Sequence, residues 1–252
     1  VISCHGYYPP GVSKVIGRGG WCYIGLIDDS TVLKYPKIPG EGDNIKVEAQ
    51  ILNILGYHPR IIKSHGLTDH GLVLQYALKG NLDEYITHNP DVSVEQRPHW
   101  CKQTAEAVSY IHEKNVMHCD MGPRNLLLDD DLDILLADFQ GVLKSADGRI
   151  LLDGLSWEYP KYYCPRAHCD YIDVKTDVFA LGFVIYSIIM GHEVFPELNS
   201  WEHDEEIEAR FANGQFPTDR HPCFEITEKC WKQLYESAGD VVADLSQIQL
   251  SD

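Results

Sequence analysis

With 252 residues and 44% apolar content, the chain is long enough for one large domain or two lobes around a substantial core. Its formal charge of -17, from 21 basic and 38 acidic residues, argues against a nucleic-acid surface, which needs clustered Lys and Arg, and favours neutral or basic partners. Eight cysteines with no CxxC pair and no regular spacing suggest neither a disulfide framework nor a zinc ribbon, and so predict a reducing, cytoplasmic setting.

In chain order, residues 14–36 carry two β-rich runs flanking glycines, then a third run after the turn Asp28, Asp29, Ser30, the pattern of a β-meander. "NIKVEAQILNIL" follows with helical spacing of Ile45, Ala49 and Leu52 and of Ile51 and Leu55. "GLVLQYAL" reads as a further strand. Helical segments dominate from Asn81: "LDEYITH", "HWCKQTAEAVSYIHEK", "DVFALGFVIYSIIMG" and "TEKCWKQLY". Two short apolar strands, "NLLL" and "ILLADF", flank the acidic turn Asp129 to Asp131. Strand character gives way to helix near Ala77 to Gly80, which predicts an α+β architecture with a small β-rich lobe over residues 1–78 and a larger, mainly helical lobe over 79–252.

Several features fit no site. The run Glu202 to Glu208 reads as a solvated face. Cys164, His168 and Cys169 lack a second ligand pair for zinc. The apolar stretch 178–190 is too short for a bilayer of roughly 30 Å and predicts a buried helix, so no membrane association is expected. Val1 opens the chain without a Met or a charged-then-apolar leader, from which no secretion signal is expected.

Three positions conflict with their surroundings. Glu48 lies in the apolar stripe of its helix, where a lone carboxylate is costly without a cation. Lys34 shares a strand face with Val32, so the two charges solve each other's problem if they meet. Asp138 is delivered to the end of the strand "ILLAD", and Asp120 and Asn125 flank a short loop before "LLL". Two acids and an amide at strand ends suit a hard divalent cation such as magnesium. Gly17 and Gly19 in "IGRGGW" can bring backbone amides close to phosphate.

Taken in order, these features resemble the eukaryotic protein kinase set over nearly the whole chain. The glycine loop is Gly17-x-Gly19-x-x-Cys22-x-Ile24, "VLK" supplies Lys34, and Glu48 stands at the helix glutamate position. "LVLQYA" is similar to the strand entering the hinge, "HCD" with Asn125 to the catalytic loop, "DFQ" to the metal loop, "CPR" to the end of the activation segment, and "DVFALG" to the central helix. The resemblance implies a bilobal, ATP- and magnesium-dependent protein kinase acting on a protein substrate as a monomer. Lys34 would hold the α- and β-phosphates and Glu48 would hold Lys34; Asn125 and Asp138 would bind magnesium, and Asp120 would accept the substrate hydroxyl proton. Ile16, Ile24, Val32 and Leu127 would sandwich the adenine, while Gln75 and Ala77 offer it backbone groups next to the gatekeeper Leu74.

The departures carry expectations of their own. Cys119 replaces the arginine before the catalytic acid, so activity without loop phosphorylation is expected, and His118 is read as holding backbone. Gln140 replaces the metal-loop glycine and Cys22 the third phosphate-loop glycine. Gly122 and Tyr159 occupy positions where serine/threonine kinases carry a lysine and a threonine, whereas Arg124 is closer to a tyrosine-kinase pattern; "YPKYYCP" tips the reading towards serine/threonine. Arg166 replaces the glutamate of the "APE" motif, which predicts a charge-swapped pair with Asp240 or Glu236. A pseudokinase serving as a binding or scaffold module is the alternative.

Overall fold

The computed structural model describes residues 8–93, 95–168 and 171–248. The glycine-flanked runs form β1 (Lys14–Arg18), β2 (Cys22–Leu26) and β3 (Thr31–Pro36), a meander whose turn is fastened by Asp28, whose Oδ1 accepts N–H bonds from Ser30 and Thr31 at 2.8 Å. Two more strands, β4 (Ser64–Thr68) and β5 (Gly71–Gln75), complete an antiparallel sheet in the order β1-β2-β3-β5-β4. β4 escaped the sequence reading because it is an edge strand with four of its five residues exposed and no apolar alternation. The register sets Lys34 opposite Ile24 on one side and Leu72 on the other, and Val32 opposite Leu74.

Helix α1 (Asp43–Leu55) buries Ile45, Glu48, Ile51, Leu52 and Leu55, the stripe that its spacing predicts, carboxylate included. The chain then continues through α2 (Leu82–His88) and α3 (Gln96–Glu113), which begins three residues before the predicted segment, with Pro98 tolerated in its first turn. β6 (Val116–Met117) leads into a loop and one 3-10 turn at Pro123–Asn125, followed by the predicted pair β7 (Leu126–Leu128) and β8 (Ile134–Leu136). β9 (Val142–Lys144) and β10 (Ile150–Asp153) join β6 in a small sheet of order β10-β9-β6, which the sequence did not reveal. These strands are only two to four residues long, too short for periodicity to register.

Helix α4 (Val174–Met190) is buried along almost its whole length, as its continuous apolar run predicts. It starts earlier than "DVFALG" because Asp173 and Thr176 form a capping box, and it ends at Gly191, whose φ of 78° is left-handed. None of the helices is long and apolar enough to cross a membrane among the described residues. The acidic run is not merely a solvated face: it opens α5 (Asp204–Ala212), where Asp204, Glu205 and Glu206 sit at the positive end of the helix dipole while Ile207 and Phe211 are buried. Helix α6 (Phe224–Trp231) stops short of the predicted "KQLY" because Gln233 turns to a φ of 53°. Helix α7 (Ala238–Leu245), also unpredicted, is started by the Ser237 and Asp240 capping box. A β-rich part with one main helix and a larger helical part give the bilobal α+β architecture.

Candidate active site

The conflicting charges meet. Lys34 Nζ lies 2.5 Å from Glu48 Oε2 and 2.5 Å from Asp138 Oδ1, so one ammonium ties β3, α1 and the end of β8 together. Burial works against the charge on Lys34, but the two carboxylates outweigh it and hold its pKa above the ordinary value. Burial pushes Asp138 up as well, and Lys34 more than reverses that, leaving Asp138 below the usual carboxylate range. Asp138 takes a φ of 65°, a conformation that an Asp tolerates better than most side chains. Gln140 does not need a left-handed φ, so replacement of glycine there carries no backbone strain.

The loop between β6 and β7 is fixed from below by Asp177. Its Oδ2 accepts the His118 N–H at 2.7 Å and its Oδ1 the Cys119 N–H at 3.0 Å, which holds Cys119 at a φ of 63°. His112 Nε2 also lies 2.9 Å from Asp177 Oδ2. The expected role of His118 matches its contacts. Asp120 N–H donates to Nδ1 at 3.3 Å, so Nε2 carries the proton and donates to the Ala137 carbonyl at 2.9 Å. Asn125 Nδ2 donates to Asp120 O at 2.7 Å and to Oδ2 at 3.0 Å, and Arg124 donates to Oδ1 at 3.0 Å. Burial raises the Asp120 pKa against the pull of Arg124 and His118.

These groups face a cavity of about 700 Å³, large enough for a nucleotide. Ile16, Gly17, Gly19, Ile24, Val32, Lys34, Glu48, Gln75, Ala77, Asp120, Asn125, Leu127 and Asp138 all line it, with Leu74 at the back. β5 ends at Gln75, which donates its N–H to the Lys63 carbonyl at 2.9 Å, while Ala77, 5% exposed, keeps an N–H with no backbone partner among the described residues. Cys22 also lines the cavity, and its Sγ is so placed that a Cβ on Gly19 would come within 2.9 Å.

Two couplings were not legible in the sequence. Arg124 stacks over the Tyr159 ring with Cζ 4.3 Å from its centroid, so the residue at the threonine position serves the cation that touches Asp120. Gly122 lies against the Tyr162 ring, which a Cβ would meet at 3.8 Å. The second coupling corrects an expectation: Arg166 is engaged by Glu158, not by Asp240 or Glu236. Arg166 grips it with both arms, NH2 to Oε2 at 2.7 Å and NH1 to Oε1 at 3.0 Å, and lies over the Tyr163 ring. Glu236 instead pairs with Lys175 and Asp240 caps α7. Glu158 is only eight residues upstream, and an exposed-looking "WEY" gives no sign of burial. Cys169 of the Cys164, His168, Cys169 group lies outside the described residues.

Burial holds the Glu158 carboxyl up at about 7 against an ordinary 4.5, in spite of Arg166. The folded state therefore keeps this proton where the unfolded chain has lost it. Its contribution to stability is complete below about 4.5 and disappears as pH rises through about 7. Thermal unfolding of the wild type between pH 5 and 8 is expected to lose about 3 kcal/mol that Glu158→Gln does not lose. Parallel pH profiles for the two proteins would refute the assignment.

A profile described as the protein kinase domain matches residues 30–251. The chain belongs to the protein kinase domain family. It is 26% identical to calcium/calmodulin-dependent protein kinase type 1 of Macrobrachium nipponense over 82% of this chain and 58% of the relative. It is 27% identical to serine/threonine-protein kinase dkf-2 of Caenorhabditis briggsae over 90% of this chain and 18% of the relative. It is 26% identical to CBL-interacting serine/threonine-protein kinase 8 of Arabidopsis thaliana over 69% and 39%. The chain thus spans between 18% and 58% of the lengths of these relatives.

Proposed function

We propose that this chain transfers the γ-phosphate of ATP to hydroxyl groups of a protein substrate, with serine or threonine as acceptor. The observation that carries the reading is the single Lys34 ammonium held at 2.5 Å from both Glu48 and Asp138 at the wall of a nucleotide-sized cavity. Acceptor class leans on the names of the serine/threonine kinases it is similar to. The residues suit the nucleotide: Ile16, Ile24, Val32 and Leu127 give apolar walls, the Ala77 N–H can donate to a ring nitrogen, and Gly17 and Gly19 let backbone approach phosphate. They also suit magnesium. Asn125 spends its N–H on Asp120 and retains an oxygen, and Asp138 offers a carboxylate. Among the described residues no three His, Cys, Asp or Glu side chains could hold a metal by themselves, so this oxygen pair would share the ion with substrate phosphates.

When bound, magnesium supplies positive charge against the phosphates. Lys34 adds a second, fixed charge that Glu48 keeps aimed. Asp120, its carboxylate oriented by Asn125 and Arg124, positions the acceptor hydroxyl and takes its proton. The reading includes a lobe boundary near residue 78, with the cleft between the smaller lobe before it and the larger lobe after it. The proposal includes a monomer in a reducing, intracellular setting, supported by buried free thiols at Cys22, Cys101, Cys119, Cys164, Cys223 and Cys230.

Radiolabelled phosphate transfer to generic proteins and a peptide library is expected from the wild type and not from Asp138→Ala. Absence of transfer together with absence of magnesium-dependent nucleotide binding would favour a scaffold role instead. Cys119 is 3% exposed and offers no cation to a phosphate, so phosphatase treatment is expected to leave the rate within about twofold. A large loss would show that a modified activation segment is needed.

A further inference from the structure

Gln140 stands where the family carries glycine, and its side chain is engaged. Its Oε1 accepts from Asn44 Nδ2 at 3.3 Å. Asn44 and Glu48 lie one turn apart on α1, which has no side-chain N-cap. A second bond joins the same helix to the same turn, from the Phe139 N–H to Glu48 Oε1 at 3.3 Å. Two hydrogen bonds thus cross between α1 and the turn, Asn44 to Gln140 and Phe139 to Glu48, beside the Lys34 ion pairs with Glu48 and Asp138.

The backbone of Gln140 is held as firmly. Its N–H donates to the Asp138 carbonyl at 3.0 Å, and its carbonyl accepts from Ser156 N–H at 3.2 Å. Gly154 approaches so closely that a Cβ there would fall 2.3 Å from the Gln140 oxygen. Gln140 thus joins three parts of the molecule: helix α1, the turn carrying Asp138, and the later half of the segment that begins at β9. A glycine could supply only the backbone bonds and would leave the placing of α1 to other contacts.

We propose that Gln140 is a positioning residue which fastens α1 to the Asp138 turn, so that Glu48, Lys34 and Asp138 remain assembled with no modification of the activation segment. The inference deepens the phosphotransfer reading and rests on it for its effect on rate, whereas the fastening itself is a property of the fold. It also gives the absence of a cation at Cys119 a structural counterpart: the site is held by an amide in place of a phosphate.

The test uses the full chain and amide hydrogen exchange over residues 43–55, compared with residues 174–190 of α4. Gln140→Leu, which keeps volume and removes the side-chain bond to Asn44, is expected to speed exchange in α1 about tenfold and leave α4 unchanged. The same variant is expected to lose about tenfold in kcat/KM for ATP with magnesium. Gln140→Glu adds a readout that space-filling would not move. Its new carboxyl still accepts from Asn44 and, when ionised, adds a charge that repels Glu48 and Asp138, so α1 protection relative to the wild type at the same pH should be near unity at low pH and fall as pH rises. If Gln140→Leu does not fold, Asn44→Ala removes the same bond from the helix side and should show the same localised acceleration.

Unchanged α1 exchange in every variant that folds, or equal acceleration in α1 and α4, would overturn the proposal. A wild type that transfers no phosphate would sink the enzymatic reading but leave the exchange comparison to decide whether Gln140 fastens α1.

Discussion

Asp120→Asn is expected to lower the rate of phosphate transfer about a thousandfold, the order of effect of removing a positioned base, while leaving ATP affinity near its wild-type value. The replacement is nearly isosteric: the new carbonyl keeps one of the two donors that now orient the carboxylate, Arg124 at 3.0 Å or Asn125 at 3.0 Å, and Lys34, Glu48 and Asp138 are untouched. A fall in kcat with KM for ATP unchanged is therefore the expected signature. Burial raises the Asp120 pKa, so the wild-type rate should fall on acidification at a higher pH than an ordinary carboxylate would give, because the base must be ionised to accept a proton. That acid limb should vanish in the variant. Retention of activity to within tenfold would show that Asp120 does not take the proton.

Asp177→Ala should be the single change that most destabilises the loop between β6 and β7. It orphans two buried N–H groups, those of His118 and Cys119, and removes the partner of His112. At roughly 1–3 kcal/mol for each unsatisfied donor, a loss of about 4 kcal/mol is expected, which for a chain of this size lowers Tm by about 8–16 °C. Transfer should fall too, because the left-handed Cys119 lies between Asp177 and the proposed base Asp120. Asp177→Asn keeps one acceptor oxygen and should fall between the two. Differential scanning calorimetry at one pH ranks the three proteins, and coincident transitions would mean that other contacts hold the loop.

The part of the molecule that was legible in the sequence is the part where charge contradicts pattern. Glu48 in an apolar stripe and Lys34 on a buried strand face each demanded a partner, and the demand located both. The meander and α1 were legible because their apolar spacing is long enough to hold a period, and α4 because its apolar run is continuous and long. Helix α7 has eight residues and announces itself only through its Ser237 and Asp240 cap, and α5 hides its two buried residues, Ile207 and Phe211, in an acidic run. The partner of Arg166 was sought in distant helices because an ion pair can span any separation in sequence, whereas the chain solves the problem eight residues away with Glu158. In the sequence Gln140 is only a replaced glycine. In three dimensions the left-handed position belongs to Asp138, and Gln140 is free to use its side chain.

Cys22 and Gly19 are coupled by contact. The thiol lies where a β-carbon at position 19 would project, at 2.9 Å, so Gly19→Ala obliges the Cys22 side chain to turn aside, and the shape of the glycine loop depends on a residue three positions beyond it.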